Sequence, residues 1–179
     1  MSSPNRIRLR PGTLADADLL DGWAASVDAR GPFNDFGEPP GRGRSYGEML
    51  ASGPLLDETH GELVVERLED GQPLGTIGWH AVWNGPNHES RAWNFGISLI
   101  PEARGLGYGV EAQRLIAAHL FATTDVNRVE ASTDVDNIAE QRALEKAGFV
   151  REGVQRGAQF RAGAFHDLLV YSRLRDDPE

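Results

Sequence analysis

Hydrophobic residues in the first part of the chain follow two different periods. Ile7 and Leu9 alternate with arginines, which predicts a short strand with one buried face. Apolar residues then recur at helical spacing, at Leu14, Ala17, Leu20, Trp23 and Ala24. Thr13, three residues before Asp16, is a predicted N-cap, so we expect a helix of about 15 residues to follow it.

Beyond residue 60 the pattern indicates three strands, followed by helices that alternate with strands. Residues 61–68, 73–83 and 91–100 are β-rich and are separated by turn residues, which favours an antiparallel meander. A helix is predicted at 110–121, a strand at 128–133, and a second helix from Asp136 to a C-cap at Gly148. Strands at 149–160 and 164–174 complete the chain.

The strand at 91–100 has two unlike faces. One face is bulky and carries Trp93, Phe95, Ile97 and Leu99. The other is nearly bare and carries Ala92, Asn94, Gly96 and Ser98. We expect a helix to pack on the bulky face, while the bare face either leaves room for a ligand or accepts a closely packed helix.

Residues 31–47 are predicted to form a loop, because five glycines and three prolines there exclude a regular element. A loop of this length in a compact domain is usually functional or disordered. Its three aromatic residues, Phe33, Phe36 and Tyr46, favour a functional loop, since a solvated linker has little use for them.

Composition indicates one domain over residues 1–179, in which we expect 1–5 and 175–179 to be frayed. The net charge of −9 and the lack of a basic cluster argue against direct nucleic-acid binding. An acidic surface suits a cationic partner such as an amine, although it also simply favours solubility. No stretch of about 18 apolar residues occurs, so we expect a soluble, cytoplasmic protein that does not bind a membrane.

Several kinds of site are excluded or disfavoured. The absence of cysteine excludes disulfides, thiolate zinc sites and a cysteine nucleophile. The five histidines lack a metal-ligand spacing, so we expect no metal. His80 lies on the strand before the bare-faced one, where it either faces a cleft or is an ordinary hydrogen-bonded strand histidine.

The segment Arg104-Gly-Leu-Gly-Tyr-Gly109 directly precedes a predicted helix. Amides at a helix N-terminus are unpaired and carry partial positive charge, so alternating glycines before them favour phosphate binding over a tight turn that binds nothing. Arg104 can add a full charge. Gly107 to Ala112 also matches the dinucleotide pattern G-x-G-x-x-A, with Glu130 as its ribose acid, but antiparallel strands precede it, so that match is weak.

Two motifs resemble those of the GNAT superfamily of acyl-CoA-dependent N-acyltransferases. Arg104-Gly-Leu-Gly-Tyr-Gly109 is similar to its pyrophosphate loop, and Asn137-Ile-Ala-Glu-Gln-Arg-Ala-Leu-Glu-Lys-Ala-Gly-Phe149 is similar to the second motif of Rim-type ribosomal-protein acetyltransferases. Residues 167–173 resemble the last strand of that family. The resemblance implies an α/β (α+β) fold with a mixed, mostly antiparallel central sheet of six to seven strands flanked by four helices.

The resemblance also implies a cofactor site for acetyl-CoA, which acts as a co-substrate. The backbone of Ile97, Ser98 and Leu99 would pair with the pantetheine arm. Asn137 would reach the same arm, or serve as an ordinary N-cap. The pyrophosphate would bind the amides of Arg104, Gly105, Leu106, Gly107, Tyr108 and Gly109.

The implied reaction is direct attack of a neutral primary amine on the thioester, with a backbone amide near Ile97 as oxyanion donor. Rim-type relatives carry a Glu base where this chain has Asn94 and a Ser acid where it has Glu140. Many other members carry a Tyr acid at the position of Leu144. Asn94 could hold a water that accepts the proton, and Glu140 has the spacing of a capping box with Asn137.

The acceptor is implied to be a small-molecule amine or a protein N-terminus, bound by a monomer or homodimer. The family places the early loop over the amine, so the candidate acceptor contacts are Phe33, Asp35, Phe36, Glu38 and Tyr46. Two other functions stay open: a non-catalytic acyl-CoA-binding regulatory module, and a nicotinamide-dependent oxidoreductase.

Overall fold

The computed structural model describes residues 4–36 and 44–178, which contain a seven-stranded sheet and five helices. The strands are β1 (Ile7–Pro11), β2 (His60–Arg67), β3 (Pro73–Trp83), β4 (Arg91–Leu99), β5 (Arg128–Asp134), β6 (Val150–Arg161) and β7 (Ala164–Leu174). The helices are α1 (Ala17–Ala25), α2 (Val27–Arg30), α3 (Tyr46–Ala51), α4 (Tyr108–Thr123) and α5 (Ile138–Lys146).

The sheet has the strand order β1-β2-β3-β4-β5-β7-β6. All neighbouring strands are antiparallel except β4 and β5, which run parallel and are joined through α4. A parallel pair needs such a crossover connection, and a helix commonly supplies it. This confirms the predicted mixed, mostly antiparallel sheet.

Strands β4 and β5 stay together over a very short distance. Their pairing is limited to Trp93 with Val129 and Asn94 with Glu130. Beyond that point β4 remains paired with β3 as far as Leu99, while β5 follows β7. The two strands therefore separate inside the sheet and leave a wedge between them.

The main core lies on the bulky face of β4. Trp93 and Phe95 are 3% exposed and pack in one cluster with Ile116 of α4 and Leu144 of α5. The ring of Phe95 lies 5.3 Å from that of Phe149. The predicted helix packing on this face is confirmed, although Ile97 and Leu99, nearer the wedge, are only partly buried.

The predicted first helix of about 15 residues is wrong in its length. A 3-10 turn at Leu14–Asp16 begins after Thr13, α1 ends at Ala25, and α2 is a separate short helix. The break lies at Ser26, which has an extended backbone and whose hydroxyl accepts a hydrogen bond from Ala29 N–H. Ser26 is therefore the N-cap of a new helix, a role that serine fills well.

The predicted loop at 31–47 also contains a helix. Tyr46 begins α3, and Ser45 forms a capping box with Glu48. The sequence signal, a serine three residues before a glutamate, was hidden among glycines that favour turns. This adds one helix to the predicted four.

Helix α4 spans 16 residues and buries Ala112, Ile116 and Leu120 against the sheet. At its C-terminal end the Arg175 guanidinium donates to the carbonyl oxygens of Phe121 (2.8 Å) and Thr124 (2.7 Å), two groups that a helix end leaves unpaired. Within residues 4–36 and 44–178, neither α4 nor any other helix has the length and apolar character that crossing a membrane requires.

Two glycines of the β3–β4 pair, Gly75 at its end and Gly96 further inside, provide a test of this packing. A Cβ at Gly75 would lie 2.0 Å from the carbonyl oxygen of Ser98, whereas a Cβ at Gly96 meets no atom within 4 Å. We expect Gly75→Ala to lower the free energy of unfolding by about 2 kcal/mol or more, because backbone must move. Gly96→Ala should change it by less than about 0.5 kcal/mol. Urea denaturation measures both, and equal losses would contradict the close approach of β3 to β4.

Candidate active site

A cleft of about 500 Å³ lies beside the separated part of β4, between that strand and α5. The glycine-rich turn forms one end of the cleft, and residues 30–34 form part of its rim. Among the described residues the structure brings together most of the predicted cofactor contacts and one predicted catalytic residue. These lining residues are Ile97, Ser98, Leu99, Arg104, Gly105, Gly107, Gly109, Asn137 and Glu140.

The turn from β4 into α4 exposes backbone amides to the cleft. Gly105 (φ 73°) and Gly107 (φ 86°) both adopt left-handed conformations, which glycine reaches without steric cost. Gly107 is the N-cap of α4, and no side chain in the described part of the chain caps it. The unpaired amides at this end of α4 therefore form a positively polarised anchor for an anion.

Leu106 and Tyr108 lie outside the lining of the cleft. The Tyr108 ring stacks under the Arg6 guanidinium at 4.7 Å, and Arg6 also donates to the Leu106 carbonyl oxygen at 3.1 Å. Glu111 accepts a hydrogen bond from the amide of Arg6 at 2.6 Å. Arg6, which sequence reasoning missed, therefore fixes the outer side of the turn. The backbone amides of Leu106 and Tyr108 remain as predicted contacts of the pyrophosphate, whereas their side chains do not line the cleft.

The guanidinium of Arg104 is occupied by backbone carbonyl groups. It donates to the oxygen of Leu99 at 2.8 Å, of Asp28 at 2.9 Å and of Ala29 at 2.7 Å. The sequence suggests that this charge serves a phosphate, whereas in the structure it clamps α2 to the end of β4. Other cationic side chains, Arg142 and Lys146 of α5, also line the cleft.

Asn137 begins α5 as its N-cap, with its side-chain oxygen accepting from Glu140 N–H at 3.3 Å. The predicted capping box is wrong in its second half, because the Glu140 carboxylate does not return to the Asn137 amide. It instead accepts a hydrogen bond from the Gln113 side-chain amide at 2.7 Å. Glu140 is therefore turned toward α4.

Burial changes the protonation of Glu140. Desolvation raises the pKa of its carboxyl from 4.5 to about 7, and the hydrogen bond from Gln113 opposes this shift. Gln113 is fully buried, and its side-chain oxygen has no hydrogen-bond partner among the described residues. A protonated Glu140 would supply a donor for that oxygen. The signal for Gln113 was a polar residue on the apolar face of α4, three residues before Ile116.

Asn94 does not line the 500 Å³ cleft, but lies in the last pair that joins β4 to β5. Its side-chain nitrogen is 3.5 Å from a carboxylate oxygen of Glu130. The other oxygen of Glu130 accepts from Arg128 at 2.7 Å. On its other side Asn94 pairs with His80, whose side chain is exposed.

Of the predicted acceptor contacts, Phe33 reaches the cleft. The Arg161 guanidinium lies 5.4 Å from its ring and donates to the Pro32 carbonyl oxygen at 2.9 Å. Arg161 is itself buried and pairs with Asp134 at the end of β5. The loop that carries Phe33 is thus tied to β5 and β6, an arrangement that sequence reasoning did not predict.

The remaining acceptor candidates are not gathered in the cleft. Asp35 pairs with Arg30 at 3.3 Å, and Phe36 is 52% exposed. Tyr46 lines a separate cavity of about 130 Å³ together with Trp23. Glu38 lies outside the described residues. Within residues 4–36 and 44–178 no group of three or more His, Asp or Glu side chains could hold a metal ion.

The chain belongs to the acetyltransferase (GNAT) domain family, whose profile matches residues 6–150. Its curated relatives include the uncharacterized N-acetyltransferase YoaA of Bacillus subtilis. That protein is 32% identical over 111 residues, which cover 62% of this chain and 60% of the relative. This chain therefore spans less than two thirds of the length of the relative.

Solved structures share the fold over nearly the whole chain. The ribosomal-protein-S5-alanine acetyltransferase of Vibrio fischeri superimposes with a TM-score of 0.78 at 19% identity, covering 99% of this chain and 98% of its own. The spermidine N-acetyltransferase of Vibrio cholerae, solved with CoA and spermine, gives 0.77 at 20% identity and covers 96% and 97%. The predicted GNAT-type fold is confirmed, with neighbours that include Rim-type enzymes.

The raised pKa of Glu140 predicts a pH dependence of stability. Since the native state binds this proton more tightly than the unfolded chain, the stabilisation is complete below about pH 4.5 and is lost as pH rises through about 7. Glu140→Gln keeps the bond from Gln113 and removes the titration. At pH 8 we expect the variant to exceed the wild type by about 2 to 3 kcal/mol in free energy of unfolding, with little difference at pH 4.5.

Urea denaturation at the two pH values provides the measurement. Glu102→Gln is the matched control, because Glu102 is an exposed carboxylate outside the cleft lining. A stability difference between wild type and Glu140→Gln that is the same at both pH values would contradict the burial of this carboxyl.

Proposed function

We propose that this chain transfers an acetyl group from acetyl-CoA to a primary amine. One observation carries the proposal. The edge of β4 opens beside an uncapped helix N-terminus, so extended backbone and a site for a diphosphate lie in a single cleft. The membership of the GNAT family supports the same reaction.

The described residues fit the parts of acetyl-CoA. The pantetheine arm carries amides, which the unpaired edge of β4 at Ile97, Ser98 and Leu99 would bind as an added strand. The diphosphate would accept hydrogen bonds from the amides of residues 104–109. Arg142 and Lys146 line the same cleft and add positive charge to it.

The attack would pass through a tetrahedral intermediate without a covalent enzyme intermediate, in agreement with a chain that has no cysteine. A backbone amide near Ile97 would stabilise the oxyanion. Leu144 is fully buried and cannot replace the tyrosine of other family members. Glu140 is suited to that role instead, because a carboxyl with a pKa of about 7 is about half protonated at neutral pH and can give its proton to the departing thiolate.

The acceptor in this proposal is a small-molecule amine or the N-terminal amine of a protein. The structural neighbours include enzymes named for both kinds of acceptor, spermidine in one and a ribosomal-protein alanine in another. The net charge of −9 favours the approach of a cation. We further propose a monomer or homodimer that acts in the cytoplasm, where acetyl-CoA is available.

Turnover separates this function from the non-catalytic alternative. Free thiol is measured after mixing the protein and acetyl-CoA with spermidine, or with a short peptide that begins with alanine. An enzyme releases thiol with at least one of these amines faster than without amine. CoA binding without such release would favour the regulatory module.

The glycine turn gives a second test. Gly107→Val places a β-branched residue in a left-handed conformation, which should displace the amides that would hold the diphosphate. We expect titration calorimetry to show at least tenfold weaker CoA binding. The control is Gly22→Ala in α1, where an added Cβ meets no atom within 4 Å. Equal CoA affinity in Gly107→Val, or heat from NAD in place of CoA, would contradict the proposed cofactor site.

A further inference from the structure

A row of polar side chains crosses the sheet at the position where β4 and β5 separate. In the strand register His80 lies opposite Asn94, Asn94 opposite Glu130, and Glu130 opposite Ser172. Paired residues on neighbouring strands share a face of the sheet. The row therefore lies on the bare face of β4, at the position where β4 and β5 separate.

Solvent and small molecules can reach this row. His80 is exposed, and the Glu130 side chain retains 15% exposure. Gly96, two residues after Asn94 on the same face, is exposed and has open space where a side chain would lie. The bare face predicted from the sequence is thus open next to Glu130.

Glu130 keeps one carboxylate oxygen available. The Nε of Arg128 donates to one oxygen of Glu130 at 2.7 Å, while its two terminal nitrogens bind Glu152 at 2.7 and 2.5 Å. Ser172 donates to Glu152 as well, at 2.7 Å. Glu152 thus occupies both terminal nitrogens of Arg128, and the guanidinium binds only one oxygen of Glu130.

The second oxygen of Glu130 faces the Asn94 amide. Their separation of 3.5 Å is long for a direct hydrogen bond, so the contact is weak, and this carboxylate oxygen has a further lone pair with which it can accept from a water. The titratable or charged groups around Glu130 are Arg128 on its own strand, Glu152 on β6 and His80 on β3. Among the side chains of the row itself, Glu130 is the one carboxylate.

We propose that Glu130 accepts the proton of the acceptor amine, with Asn94 holding the water that connects them. The inference rests on the proposed acetyl transfer. It assigns to β5 the carboxylate that Rim-type relatives carry on β4, at the position of Asn94.

The proton balance of the step is complete. The ammonium gives one proton through the water to Glu130, and the freed lone pair forms the N–C bond at the thioester carbonyl. The C–S bond then breaks with its electron pair on sulfur, which takes a proton from Glu140. The second nitrogen proton passes to solvent, and solvent restores Glu140 and Glu130.

The test compares Glu130→Gln with Glu152→Gln. Both substitutions remove a carboxylate from Arg128, but only Glu130 faces Asn94. With the alanine peptide or spermidine as acceptor we expect kcat/KM to fall by about 10² to 10⁴ in Glu130→Gln and by less than about threefold in Glu152→Gln. The KM for acetyl-CoA should stay the same in both.

Two further readouts separate proton transfer from a structural role. Without its base the reaction needs an amine that is already neutral, so the pH of half-maximal kcat/KM should rise by at least about one unit toward the amine's own pKa. Hydroxylamine is already neutral at pH 7, so Glu130→Gln should cleave the thioester with it at nearly the wild-type rate. If the substitution merely distorted the site, Glu130→Gln would lose activity with hydroxylamine as much as with the amine. Equal losses in these two reactions would overturn the inference.

If Glu130→Gln folds poorly, a double variant that moves the carboxylate to position 94 provides a second test. The double variant Asn94→Glu with Glu130→Gln returns a carboxylate to the same pair, and we expect it to recover at least tenfold of the lost rate. Full activity of Glu130→Gln would contradict the proton-accepting role of Glu130 and leave the proposed acetyl transfer standing. The absence of recovery in the double variant, with CoA binding intact, would do the same. Failure of the wild type to release thiol with any amine contradicts the proposed function together with this inference.

Discussion

The separation of β4 from β5 is the constraint on which the rest of the molecule depends. Each strand is held firmly by its outer neighbour, β4 by β3 as far as Leu99 and β5 by β7 as far as Asp134. The two strands share only two residue pairs, so beyond Asn94 no strand among the described residues pairs with that side of β4. Unpaired backbone groups inside a sheet need water or a ligand. The fold thereby builds a groove that suits an extended, amide-containing molecule.

The proposed chemistry would depend on two carboxylates in unlike surroundings. Glu140 is desolvated beside the Gln113 amide, which favours its neutral form, whereas Glu130 lies against the cationic Arg128. Two acidic groups in different environments commonly divide the work of a proton donor and a proton acceptor. In this chain the pair would replace the Glu, Ser and Tyr side chains of the related enzymes, without adding any cysteine or metal ligand.

Local patterns predicted the parts of the site that lie close together in the chain. The glycine turn at 104–109, the two faces of β4 and the Asn137 N-cap each depend on a few neighbouring residues, and all were predicted. The partners Gln113 and Glu140 are 27 residues apart, and Asn94 and Glu130 are 36 apart. Such contacts depend on how α4, α5 and β5 pack against one another, and the hydrophobic periodicity of the sequence does not predict that packing. The break at Ser26 was missed because the apolar spacing of α1 continues to Ala24, next to the break, and does not show that the helix stops at Ala25. Ser26 then caps the separate helix α2.

Hydrogen exchange of the backbone amides provides the most direct measurement of the central claim. The alternate amides of residues 95–99 that point away from β3, and the amides of 105–109, should exchange rapidly in the free protein, because no strand pairs with them, and should slow at least tenfold when CoA is added. The amides of β6 and β7 should be unaffected. Unchanged exchange at 95–109 in saturating CoA, or slowing confined to α1 and α3 around the small cavity, would show that the wedge between β4 and β5 is not the binding site.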